Sequence, residues 1–240
     1  MTGVLLVDKP QGLTSHDVVD KIRHATNMRR IGHTGTLDPA ATGLLILCLG
    51  KATRLSEHFT KLSKVYEGTM RLGIISDSYD LDGNILEERP EAWPDPQQII
   101  DNLSVDTIQA ECNRYTGAIE QIPPMVSAVK VGGERLYKKA RKGETVERKP
   151  RTTVVDEFKV ISYTAPDAQL RVQCSSGTYV RSLCHDVGQD LKCGAVLAAL
   201  RRTAVGTHHI DNALTLDKLS DAEMVANHLL PMGQALDLPT

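Results

Sequence analysis

The chain has 240 residues, 41% of them hydrophobic, and a formal net charge of −2. That length is generous for one domain and short for two large ones, and the apolar share is enough for a real core. The near-neutral balance gives no global basic character of the kind that announces a nucleic-acid partner; no apolar run approaches the ~18 residues of a membrane span; and the N-terminus lacks the basic stretch and apolar core of a signal peptide.

In chain order, residues 3–7 read as a short apolar strand. Ser15 is expected to cap a helix in which Val18, Val19, Ile22 and Ala25 share one face. Residues 44–49 read as a buried strand, and residues 64–72 alternate as a second one. Residues 77–84 form a turn-rich acidic loop, and Asp95-Pro96 starts a helix toward Leu103. Residues 108–115 and 125–131 look extended, with a short basic helix over 136–141. Residues 154–162 and 170–174 are strand candidates. A helix over 178–191 places Val180, Leu183, Val187 and Leu191 on one side. Helical character over 195–200, an extended piece at 204–208 and a weakly helical end over 214–237 complete the chain. Strands and helices mix without regular βα alternation, which favours α+β over a doubly wound sheet.

Charge is unevenly placed. Between positions 124 and 151, nine Lys or Arg residues, Lys130 and Arg141 among them, stand against three Glu. This arm, introduced by Pro123-Pro124 and bounded by Pro150, is +6 and the remaining chain is −8. A local basic arm on an acidic body suits phosphate-backbone contact, although a charge run is also what a solvated helix face looks like. The five cysteines (Cys48, Cys112, Cys174, Cys184, Cys193) include no Cys-x-x-Cys pair. Cys48 and Cys174 read as small buried hydrophobes, and the set implies a reducing compartment without a disulfide framework.

The most pointed motif is the run from Gly32 to Gly43, Gly-His-Thr-Gly-Thr-Leu-Asp-Pro-Ala-Ala-Thr-Gly, with a single carboxylate, Asp38, at its centre. Pro39 biases Asp38 toward an extended backbone, and the buried strand follows at once. An acid held on a rigid loop above a strand is a way to present a catalytic group; a lone Asp-Pro is otherwise an ordinary turn. Other constellations fail. Gly50-Lys51-Ala52-Thr53 lacks the phosphate-loop spacing, and Asp80-x-Asp82-Gly83 lacks the first and last ligands of a calcium loop. Cys184-His185 and His208-His209 are adjacent rather than spaced as metal ligands. No metal, nucleotide or cofactor site is expected, so Asp38 would act with side chains alone.

Five ordered blocks resemble one family. They are residues 3–10 (Gly-Val-Leu-Leu-Val-Asp-Lys-Pro) with Thr14-Ser15-His16; the Gly32 to Gly43 run; Tyr66-Glu67-Gly68 through Leu72-Gly73 to Asp80-x-Asp82-Gly83; residues 121–130 (Gln-Ile-Pro-Pro-Met-Val-Ser-Ala-Val-Lys); and Ser176-Gly177-Thr178-Tyr179-Val180-Arg181-Ser182-Leu183 with Leu200-Arg201-Arg202 after it. The chain resembles tRNA pseudouridine synthases of the TruB type, which modify uridine 55 in the T-loop, across residues 3–207. The resemblance implies an α+β pseudouridine synthase fold, a mixed and mainly antiparallel central sheet flanked by helices, with residues 124–151 as an inserted basic thumb that orders on RNA. It implies one catalytic domain over 1–240, without the further C-terminal RNA-binding domain of the PUA type that relatives usually carry.

By the same resemblance Asp38 is the nucleophile and Arg181 the cation that keeps it ionised. Tyr66 is the aromatic that stacks on the flipped uracil, Leu200 packs against the base, and Tyr179 lines the pocket. His33 contacts the T-loop, Lys9-Pro10 supports the site floor, and Lys130 and Arg141 belong to the phosphate-contacting arm. The implied partner is the tRNA T-arm, bound in the cytoplasm without cofactor, membrane or guide RNA; the sequence carries no oligomer signal, so a monomer is the default expectation. A guide-dependent synthase of the archaeal and eukaryotic kind is disfavoured, because the long thumb-like insertion resembles that of stand-alone bacterial enzymes; an RNA-binding folding factor that grips the T-arm without needing catalysis stands beside the synthase reading. A glycosidase-like hydrolase would need a second placed carboxylate, and none stands out.

Overall fold

The computed structural model describes residues 1–86, 90, 92–127, 130–131, 134–136 and 146–236. Its elements begin β1 (Gly3–Lys9), α1 (Ser15–Thr26), β2 (Ile31–His33), β3 (Thr42–Leu49), α2 (Ser56–Lys61), β4 (Lys64–Leu72), α3 (Pro96–Asn102), α4 (Val105–Asn113) and β5 (Gly117–Gln121). They continue with β6 (Lys130–Val131), β7 (Glu134–Arg135), β8 (Arg151–Thr164), β9 (Asp167–Cys174) and α5 (Val180–Asp190). Last come β10 (Ala195–Val205), β11 (His208–His209), β12 (Leu214–Thr215), α6 (Ala222–Asn227) and α7 (Met232–Ala235). The fold is α+β, with antiparallel pairs such as β1 with β3, β5 with β8 and β8 with β9, and with β1 and β12, and β3 and β10, paired parallel. Two compact units divide it: Met1–Tyr66 with Leu200–Thr240, and Glu67–Ala199. The strands β4 and β10 each run from one unit into the other.

The first unit is built on β1 and β3, paired antiparallel from Gly3↔Leu49 to Lys9↔Gly43. Both strands are buried on both faces, so they read as continuous apolar runs instead of alternating. Leu5, Val7, Leu45, Leu47 and Leu49 meet Val18, Val19 and Ile22 of α1. Val4, Leu6, Leu44, Ile46 and Cys48 meet Phe59 of α2 and Val205 on the other face. The start of α1 differs from expectation. Thr14, not Ser15, is its cap: the Thr14 hydroxyl accepts from the Asp17 N–H (3.1 Å) and the Asp17 carboxylate accepts from the Thr14 N–H (2.8 Å). Ser15 is the first helical residue, and its buried hydroxyl serves the loop around Asp38 instead. The C-terminal stretch is only partly helical. Leu214 pairs with Val7 in β12, a 3₁₀ turn covers Leu216–Lys218, and α6 and α7 follow.

In the second unit the strand order is β4, β9, β8, β5. β8 and β9 form an antiparallel pair with irregularities beside Val155 and Val160. Gln109 of α4 fills one of them, donating to the Phe158 carbonyl (2.8 Å) and accepting from the Val160 N–H (2.7 Å). That helix corrects the extended reading of residues 108–115. Ser104 caps it, and Ile108 and Cys112, four residues apart, supply its buried stripe. The helical reading of residues 195–200 is also corrected. They are strand, because Ala195, Val196 and Leu197 are buried as a sheet member and tertiary pairing overrides the helix preference of Ala and Leu. Of residues 125–131, read as extended, 125–127 form a bend and Lys130–Val131 pair with Glu134–Arg135. Leu136 is helical and fully buried; the rest of the helix expected over 136–141 lies outside the described residues. No described helix is long and apolar enough to cross a membrane.

Candidate active site

Asp38 lies on the loop between β2 and β3, and both of its neighbours are tied down. At the loop's start, the Thr34 N–H donates to the Ile46 carbonyl (3.1 Å). Leu37 is buried, its N–H donates to the Ser15 hydroxyl (2.8 Å) and its carbonyl accepts from that same hydroxyl (3.2 Å). On the other side, the Pro39 carbonyl accepts from the Gly12 N–H (2.8 Å) and from Lys9 Nζ (3.3 Å). The Ala41 N–H closes the turn onto the Asp38 carbonyl (3.1 Å). Each such bond contributes about 1 kcal/mol. Together they fix the backbone while Asp38 itself stays solvent-exposed. The loop ends at Gly43, whose φ is +104 and where a Cβ would lie 2.3 Å from the Arg202 carbonyl oxygen. Only glycine fits there.

Lys9 is fully buried at the end of β1 and donates to the carbonyls of Leu13 (2.6 Å), Pro10 (3.0 Å) and Pro39. Burial lowers its pKa to about 8; the Asp38 charge opposes that shift, and the Arg202 charge adds to it. Arg202 is buried too, donating to the Leu44 carbonyl (2.7 Å) and the Gly35 carbonyl (3.1 Å), so it clamps both ends of the loop. The expected support role of Lys9 thus has a geometry, and Arg202, quoted in the sequence only as part of a motif, shares it. His33 sits at the end of β2, half-buried. Burial lowers its pKa, helped by the positive charges of His16 and Arg202, and its Nδ1 has no hydrogen-bond partner among the described residues. Tyr66 on β4 and Leu200 on β10 are half-buried on neighbouring strands, where the Thr203 hydroxyl donates to the Val65 carbonyl (3.4 Å).

In the second unit Arg181 opens α5, 5% exposed. Its guanidinium pairs with Asp80 (3.1 Å) and donates to the carbonyls of Ser78 (2.9 Å) and Val126 (2.8 Å). Asp80 belongs to a segment that lacks the ligands of a calcium loop; its carboxylate accepts from Arg181, the Ser78 hydroxyl and the Asp82 N–H (3.1 Å). Nothing local signals the pairing with Arg181, since the two residues are 101 positions apart. Tyr179 caps α5 and is held by Gln121, which accepts from its N–H (2.7 Å) and donates to its carbonyl (3.0 Å). Lys130 lies in β6, and Arg141 lies outside the described residues. Among the described residues, no group of three or more His, Cys, Asp or Glu is placed to hold a metal ion.

Residues 23–180 match the model of the TruB family pseudouridylate synthase N-terminal domain, and residues 181–237 that of the tRNA pseudouridylate synthase B C-terminal domain. A protein of Opitutus terrae named tRNA pseudouridine synthase B is 47% identical over 237 residues, covering 98% of this chain and 95% of the relative. One of the same name from Thermobifida fusca is 46% identical over 242 residues, covering 98% and 78%. Among solved structures, a chain of a Cbf5-Nop10-Gar1 complex is 30% identical with a TM-score of 0.70, covering 97% of this chain and 61% of that one. A chain of an H/ACA RNP bound to a substrate RNA containing 2'-deoxyuridine is 28% identical with a TM-score of 0.69, covering 97% and 60%. This chain therefore spans about three fifths of each of those two. Matched along nearly its whole length by these models and relatives, and carrying the anchored Asp38 loop, the chain belongs to the TruB family of pseudouridylate synthases.

Proposed function

We propose that the chain converts a uridine of tRNA to pseudouridine, and that the target is uridine 55 in the T-loop. The names of its relatives support the substrate class. The observation that carries the reading is the Asp38 loop, which holds a carboxylate in the open between two anchored neighbours. In the reaction the N1–C1′ bond breaks, the uracil turns, and C5 bonds to C1′ while its proton leaves and N1 gains one. Asp38 is the nucleophile, and Arg181 is assigned to keep it ionised. Tyr66 stacks on the flipped base and moves a proton, Leu200 and Tyr179 line its pocket, and His33, neutral at pH 7, helps hold the base out of its stack. Because Asp38 is exposed in the chain alone, bound RNA is the group that excludes water around it. Extruding the base costs a few kcal/mol. The basic arm, Lys130 and Arg141 included, offsets that cost with phosphate contacts. The chain works as a cytoplasmic monomer on the T-arm and needs no guide RNA.

The test is tritium release from C5-labelled uridine in an unmodified T-arm hairpin, for the unaltered chain and Asp38→Asn. The expected outcome is release by the first and a loss of roughly 10³-fold or more in the variant. Equal release from both would sink the role of Asp38. Tight binding without release by either would leave a T-arm folding factor.

A further inference from the structure

A cavity of about 210 Å³ opens in the second unit at the foot of the basic arm. The two chain segments that lead into and out of the arm form its walls: Gln121 and Pro123 on β5 and beyond, and Arg151 to Thr153 at the start of β8. Gln121 and Arg151 are direct partners in that antiparallel pair. Ser176, Gly177 and Tyr179 close the third side. The volume is below the roughly 300–1,000 Å³ of pockets that take whole drug-sized ligands. It suits a smaller group.

The wall has a clear division of labour. Behind it, Thr153, Ser175, Thr178 and Gln121 are engaged. The Thr153 hydroxyl bonds those of Ser175 and Thr178, Thr178 donates to the Ser175 carbonyl (2.9 Å), and Gln121 is paired at both ends with the Tyr179 backbone. The surface facing the cavity is different. The side chains of Arg151 and Ser176 make no hydrogen bond or ion pair among the described residues. Arg148, three positions earlier, donates to the Pro123 carbonyl (3.1 Å), so one arginine of the foot braces the backbone while the other keeps its donors. Among the described residues, no carboxylate lines the cavity. A cleft that offers a guanidinium and a hydroxyl, with no acid among its described lining residues, is complementary to a phosphodiester and its ribose.

We infer that this cavity is a backbone subsite that seats one ribose-phosphate unit of the RNA strand, with Arg151 on the phosphate and Ser176 on a phosphate or sugar oxygen. The inference rests on the RNA-directed reading above, and it gives one of the arm's phosphate contacts a definite seat, where the arm joins β5 and β8. It assigns Arg151 a positioning role, through register of the strand, and none in bond-making.

The experiment measures the Kd of an unmodified T-arm hairpin across a salt series for the unaltered chain, Arg151→Ala, Arg151→Lys and Ser176→Ala, with tritium-release kinetics alongside and thermal melts to check folding. Expected are a loss of roughly tenfold in affinity for Arg151→Ala, a log–log salt slope shallower by about 0.7 to 1, partial recovery in Arg151→Lys, and a defect that falls on KM. A neutral methylphosphonate walked along the hairpin should find one linkage where the unaltered chain loses affinity and Arg151→Ala loses none further. Unchanged affinity and slope in a folded Arg151→Ala would overturn the inference, as would the absence of any such linkage. Competition by inorganic phosphate or uridine monophosphate that depends on Arg151, with RNA affinity unaffected by the variant, would assign the cavity to a free small anion and overturn it too. Failure of the synthase reading looks different: release is lost in the unaltered chain while the Arg151-dependent salt slope persists. No RNA binding at all by the unaltered chain would overturn both.

Discussion

A single buried ammonium satisfies three backbone carbonyls at the floor of the site. Replacing Lys9 by Met keeps much of the volume and removes the donors to Leu13, Pro10 and Pro39. Leaving carbonyls unsatisfied in the interior costs about 2–4 kcal/mol. Pro39 would then be held by the Gly12 N–H alone, next to Asp38, so single-turnover tritium release should slow more than RNA affinity drops. The protonation of Lys9 gives a second check. Its pKa is about 8 when folded and near 10.5 when unfolded, so the unfolded chain binds more protons between those values. The Lys9 contribution to stability therefore rises with pH from about 8 to about 10. Urea titrations should find the unaltered chain gaining on Lys9→Met across that window; a constant difference would refute the assignment. Gly43→Ala is harsher. A left-handed backbone and a Cβ 2.3 Å from the Arg202 carbonyl oxygen leave the β3–β10 pairing nowhere to go. A loss of at least about 3 kcal/mol in chemical denaturation is expected.

Among the elements, α5 carries two opposed titrations on adjacent residues. Burial lowers the pKa of His185 to about 4, with the nearby Arg148 charge adding to it, and the ring is stacked on Tyr79 at 3.8 Å. Burial raises the pKa of Asp186 to about 6, with Asp190 one turn on adding repulsion. Between about pH 4 and 6.5 the unfolded chain binds more protons at His185, so stability rises with pH; over about pH 4 to 6 the folded chain binds more at Asp186, so stability falls. The two slopes largely cancel. Asp186→Asn should expose the rising slope and add about 1–2 kcal/mol at pH 7, whereas His185→Gln should expose the falling one. Melts at pH 4.5, 5.5 and 6.5 for the three proteins decide it, and parallel curves would count against both environments. The element also marks what sequence pattern reveals. Val180, Leu183 and Val187 announced α5 correctly because its stripe is strong and its neighbours polar. Residues 108–115 misled because Ile108 and Cys112 are the only buried stripe of a short helix, and residues 195–200 misled because Ala and Leu prefer helix until a sheet claims them.

For the molecule as a whole, local chemistry was legible and distant pairing was not. The Asp38 loop announces itself within twelve residues, since glycines and a proline punctuate it. What holds that loop, Ser15 on Leu37, Lys9 on Pro39 and Arg202 on Gly35, spans 22, 30 and 167 positions, and no periodicity carries such information. The Arg181–Asp80 pair is hidden in the same way. Long-range order of this kind makes a prediction about how the fold comes apart. All five cysteines are buried thiols outside any disulfide, Cys48 in the first unit and Cys112, Cys174, Cys184 and Cys193 in the second. Burial pushes the Cys112 thiol up to about 12 and raises those of Cys48 and Cys184, so little thiolate is present until the chain opens. β4 and β10 each contribute residues to both units, so losing either unit unpairs a strand that the other also uses. Opening should therefore be shared. Thiol labelling in native buffer, followed by mass spectrometry, should be at least about 10³-fold slower than in denaturant, and all five sites should gain label in one phase. A separate early phase confined to Cys48 would mean that the first unit opens alone, and that the continuous strands do not couple the two.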